Sequence, residues 1–95
     1  MSAPVDALVE LAGLRDGIED IDREIVDLLA RRITLARQVG AVKRRAGLPT
    51  LDPPREAAVV RRAGALAREA GLEDEDVRYL FWHVIGMSRR AQLAP

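Results

Sequence analysis

LRDGIEDIDREIVDLLARRITLARQVGAVK, from Leu14 to Lys43, is the stretch from which the fold is read. Leu14, Ile18, Ile21, Ile25, Leu28, Arg32, Leu35, Val39 and Val42 follow one another at steps of 4, 3, 4, 3, 4, 3, 4 and 3 residues. That alternation is a heptad seam, the signature of a helix buried along a partner helix. Gly13, Gly17 and Gly40 each weaken the helix by roughly 1 kcal/mol relative to alanine, and the regular seam outweighs them. Extended in both directions, the pattern predicts a first helix over about 9–46. Gly47 suits the left-handed position after a helix end, and Pro49 prevents regrowth.

A helix of about 35 residues is about 50 Å long, whereas a globule of this chain's size has a radius of gyration of about 13 Å. The rest of the chain is too small to cover such a seam, so a second copy is expected to cover it. The competing solution is a kink at a glycine that folds the chain back on itself. A second helix is predicted over 53–70, with Asp52 as N-cap, Pro53-Pro54 in the first turn and Gly71 as the stop. A third is predicted over 74–93. It opens on Glu73-Asp74-Glu75-Asp76, which suits the positive end of a helix dipole. Its apolar stripe is Val77, Leu80, Phe81, Val84 and Ile85, and the same face then presents Ser88 and Gln92. The expected fold class is all-α: a single domain over 1–95, a three-helix protomer with one very long first helix.

Composition narrows the function. The 95 residues are 48% hydrophobic and 32% charged, with 15 Lys+Arg against 15 Asp+Glu, which supports a folded helical domain rather than disorder. Zero net charge gives no overall drive towards nucleic acid or an anionic membrane surface. Without cysteine there is neither a disulfide framework nor a thiolate metal site, which fits a reducing, cytoplasmic setting. No secretory signal is read at the start of the chain, and no apolar run approaches the ~18 residues of a membrane span. His83 is the only histidine, without a partner at ligand spacing, so no metal is expected. Tyr79 and Trp82 read as packing residues.

Against that background several residues break the pattern. Arg32 sits in the seam, where a guanidinium is costly unless an anion meets it. Lys43 follows 11 residues later on nearly the same face, and Ser88 and Gln92 interrupt the stripe of the third helix. Together they suggest a polar pocket for a small anion; Arg32 alone would also serve as a register device. Arg55 and Glu56 lie in the first turn of the second helix. Arg15 and Arg32 are about 25 Å apart along a straight helix. They can hold one small molecule only if a partner helix packs antiparallel.

Leu14-Arg15, Leu28-Leu29-Ala30-Arg31-Arg32, Val39-Gly40-Ala41-Val42-Lys43, Asp52-Pro53-Pro54-Arg55-Glu56, and Ser88 with Gln92 occur in an order and spacing that needs no gap. In these segments the chain resembles the all-helical chorismate mutases of the AroQ type, from about Leu11 to Gln92. The resemblance implies an intertwined homodimer with two equivalent sites. It also implies the pericyclic rearrangement of chorismate to prephenate on the way to phenylalanine and tyrosine, with no cofactor, metal or covalent intermediate. By resemblance, Arg32 and the second protomer's Arg15 clamp the two substrate carboxylates, Arg55 adds positive potential and Ser88 a hydrogen bond. Lys43 and Gln92 donate to the ether oxygen, and Glu56 accepts from the ring hydroxyl with help from Asp52. Arg32, Lys43, Glu56 and Gln92 are the expected catalytic residues. Pro53-Pro54 and the surroundings of Ser88 (Gly86, Met87, Arg89, Arg90) depart from the family pattern. Many relatives are fused to a second enzyme domain, so the chain is either free-standing or a piece of such a fusion, and a pathway enzyme is a further candidate partner. A sister activity on 4-amino-4-deoxychorismate, an isochorismate-pyruvate lyase and a non-catalytic helical dimerisation module remain as alternatives.

Overall fold

The computed structural model describes residues 2–94 and contains three α-helices: α1 (Ala3–Ala46), α2 (Pro53–Glu69) and α3 (Asp74–Leu93). Among the described residues there is no strand. The chain is all-α with a long first helix of 44 residues, which runs unbroken through Gly13, Gly17 and Gly40. It begins at Ala3 rather than near Val9. The Ser2 hydroxyl accepts from the Val5 N–H (3.4 Å), and Pro4 lies in the first turn, where its missing N–H costs no intrahelical bond.

Two compact units divide the chain at Arg31/Arg32. The N-terminal unit consists of the first part of α1. Its seam residues Leu14, Ile18, Ile21, Ile25 and Leu28 are each 50–61% exposed among the described residues. The C-terminal unit holds the end of α1 with α2 and α3. There α1 shows two stripes. Leu35, Val39 and Val42 continue the exposed seam, while Ala36 and Gly40 are buried and Arg32 and Lys43 half-buried.

The core of this unit is built mainly from small residues. Val60, Ala63, Gly64 and Ala67 of α2, and Val84, Ile85, Ser88 and Ala91 of α3, are buried. Leu80 of the expected apolar stripe stays exposed, as do Leu66, Trp82 and Tyr79. Tyr79 packs edge-on against His83, ring centroids 5.1 Å apart. Both interhelical turns are closed by glycine. Gly47 (φ 68°) and Gly71 (φ 75°) take the left-handed conformation that L side chains avoid. In each, the next N–H bonds back across the helix end, Leu48 to Lys43 O (2.9 Å) and Leu72 to Ala67 O (2.8 Å). The described residues include no helix long and apolar enough to cross a membrane.

Candidate active site

Four pieces of local structure bring the polar residues of the C-terminal unit together. The turn at Gly47 returns the chain so that Thr50 O accepts from Lys43 Nζ at 2.9 Å. Asp52 then caps α2, its Oδ1 accepting from the Arg55 N–H (3.2 Å), and Pro53-Pro54 fill the first turn. That cap orients Arg55 and Glu56, the next two residues of the same turn. Finally, Gly40 allows α1 to approach the end of α3. A Cβ there would lie 2.7 Å from Gln92 Cα and 2.9 Å from its carbonyl carbon. Arg44 also donates to Gln92 O (2.7 Å), so the last turn of α3 is held at two points.

The result is a cavity of about 350 Å³. It is lined by Arg32, Lys43, Asp52, Arg55, Glu56, Ser88 and Gln92, against an apolar wall of Leu35, Ala36, Val39, Val59 and Ile85. The volume lies within the ~300–1,000 Å³ usual for small-molecule sites. Every site residue expected from the sequence lines this cavity except Arg15, which belongs to the N-terminal unit.

Hydrogen bonds define what each group still offers. Lys43 Nζ donates to Thr50 O and to Gln92 Oε1 (2.8 Å), and an ammonium has a third proton to give. With its oxygen occupied by Lys43, the Gln92 amide keeps its NH₂ as donor. Two donors thus lie side by side. Arg32 donates to the buried Ser88 hydroxyl, which in turn donates to Val84 O (3.0 Å). Expected to bond a ligand, Ser88 here spends its proton on its own helix and orients Arg32.

The charges are poorly matched within the chain. Among the described residues Arg32, Lys43 and Arg55 form no ion pair. Burial, and then repulsion from Arg55, holds the Arg32 guanidinium below the usual arginine range. Two neighbouring cations without a carboxylate partner cost free energy that an incoming anion offsets.

The exception is Glu56. Arg89 grips it with both arms of its guanidinium, Nε to Oε2 at 3.1 Å and Nη2 to Oε1 at 2.6 Å. The hydrogen bond from Arg89 to Glu56, reinforced by the carboxylate's charge, raises the Arg89 pKa above its ordinary value. The sequence reading missed this pairing. The signal was Arg89 itself, three residues before Gln92 and so on nearly the same face of α3.

A helical frame carrying a cationic, donor-rich cavity has the charge and size to suit a small anion. The chain matches the family described as chorismate mutase type II over residues 14–93, and it belongs to that family. It is 47% identical over 53 residues to the T-protein of Enterobacter agglomerans, covering 56% of this chain and 14% of that protein. With the chorismate mutase of Methanocaldococcus jannaschii it shares 35% identity over 65 residues, 68% of this chain and 66% of the relative. Among solved structures, a conserved hypothetical protein from Pyrococcus furiosus superposes with a TM-score of 0.73 at 32% identity. That match covers 87% of this chain and 95% of the other.

Proposed function

We propose that the protein is a chorismate mutase, converting chorismate to prephenate within one helical domain, and that it works as a homodimer. The carrying observation is the cavity itself: Arg32, Lys43 and Arg55 line it without an ion-pair partner among the described residues, beside the donor pair of Lys43 and Gln92. Chorismate is a dianion whose enolpyruvyl arm must lie over its ring before the rearrangement. Holding both carboxylates therefore supplies the orientation the reaction needs. Arg32, fixed by Ser88, grips one carboxylate, and Arg55 contributes positive potential. The second grip comes from Arg15 of the other copy.

As the C–O bond breaks, negative charge grows on the ether oxygen. Lys43 Nζ and the Gln92 NH₂ are donors to that oxygen. The charge develops towards the transition state, so they stabilise that state more than the bound substrate. Glu56 accepts from the ring hydroxyl, with Asp52 beside it. No proton is exchanged and no covalent intermediate forms, in keeping with a site made of fixed cations and amides.

The dimer rests on the exposed seam of α1, whose leucines and isoleucines are 50–61% exposed among the described residues. A cytoplasmic location accords with this metabolic role. Complementation tests the composite site. Arg15→Ala and Arg32→Ala should each be inactive alone. Mixed and re-equilibrated, they form heterodimers with both defects in one site and none in the other, restoring about a quarter of the sites. Absence of any recovery, with dimers of mixed composition shown to form, would remove Arg15 from the site.

A further inference from the structure

We propose that Arg89 is a positioning residue for Glu56, and that their pairing across α2 and α3 selects a substrate with a neutral ring hydroxyl over one with a ring ammonium. The inference rests on the reading of the cavity as a chorismate mutase site. Glu56 is the carboxylate expected to meet the ring substituent. Left to itself it would be an anion on the wall of a cavity built for a dianion, and a ready counter-ion for an amine. An aliphatic amine at that ring position is protonated at neutral pH.

Arg89 changes both properties. Its two hydrogen bonds, 2.6 and 3.1 Å long, engage both carboxylate oxygens and fix the plane of the group. An ionised carboxylate has about four acceptor positions, so roughly two remain, enough to accept one hydroxyl proton. The negative charge is cancelled at the same time. The remaining wall charges are the cations Arg32, Lys43 and Arg55 against Asp52. That balance suits a dianion. A ring ammonium arriving at Glu56 meets a carboxylate already neutralised and a guanidinium close behind it, which is repulsive. Arg89 is 41% exposed and Glu56 17%, so the pair sits at the edge of the cavity, where the ring substituent is expected.

The test compares kcat/KM for chorismate and for 4-amino-4-deoxychorismate in the wild type, Arg89→Met and Arg89→Lys, each checked for a folded helical dimer by circular dichroism and sedimentation. The wild type should strongly favour chorismate. Arg89→Met should shift the ratio towards the amine by about tenfold or more, with chorismate losing mainly through a higher KM. Arg89→Lys should restore most of the discrimination, because it returns the charge without the two-armed grip. A ratio unchanged in folded Arg89→Met, while the wild type converts chorismate, overturns the role of Arg89 alone. A wild type that converts neither compound overturns the functional reading and this inference together.

Discussion

Gly40→Ala separates the placement of the site from the stability of the fold. The added Cβ would stand 2.7 Å from Gln92 Cα and closer still to Gln92 O, and contact becomes ordinary at about 3.4 Å, so the end of α3 must retreat by more than about 0.7 Å. Overpacking of this kind costs about 1–3 kcal/mol. Alanine returns about 1 kcal/mol because it is the better helix former. The net loss is about 0–2 kcal/mol, a fall in Tm of at most roughly 16 °C at 4–8 °C per kcal/mol.

Activity should suffer more. Gln92 is bonded to Lys43 at 2.8 Å, and the two must reach one oxygen together. A shift approaching 1 Å in a positioned group lowers the rate by up to ~100-fold. Thermal melts followed by circular dichroism, together with kcat and KM for chorismate, read both effects. A folded Gly40→Ala protein with wild-type kcat would refute the claim that close approach at Gly40 sets the Lys43–Gln92 pair.

Other perturbations probe separate parts of the account. Lys43→Ala removes a donor to the developing charge and should lower kcat by about 10²–10³, with a folded protein by circular dichroism. Retention of near-normal kcat/KM would mean the ether oxygen is stabilised elsewhere. Asp52→Ala deletes the cap on the Arg55 N–H and should cost about 1 kcal/mol, seen as a Tm lowered by about 4–8 °C. Ile21→Asp places a charge in the seam, where Ile21 is 56% exposed in the single chain. Analytical ultracentrifugation should show monomer and the assay little turnover; an intact, active dimer would place the interface elsewhere.

Much of this arrangement was legible in the sequence, because it depends on local rules. The heptad spacing reads as one long helix whatever covers it. Asp52-Pro53-Pro54 and the glycines at 47 and 71 mark helix ends through dihedral and capping preferences that need no tertiary information. The start at Ala3 was missed because the seam that marks the helix begins only at Leu14, and Pro4 is tolerated in the first turn. In the site, Arg32, Lys43, Ser88 and Gln92 stood out as polar residues on apolar stripes, and the cavity gathers them. What Ser88 and Glu56 bond to was not legible. The Ser88 hydroxyl is shared between Arg32 and its own helix, and Glu56 is held by an arginine 33 residues away. Such pairings depend on how α2 and α3 are set against each other, which periodicity does not encode. Gly40 read as a weak point in a helix, yet its missing side chain is what admits Gln92.

The most direct test is to incubate the purified protein with chorismate, follow its loss, and identify the product by acid conversion of prephenate to phenylpyruvate. The expected result is prephenate at a rate far above the spontaneous rearrangement, lowered by about 10²–10³ in Lys43→Ala. Chorismate left unchanged by a folded, dimeric protein would contradict it.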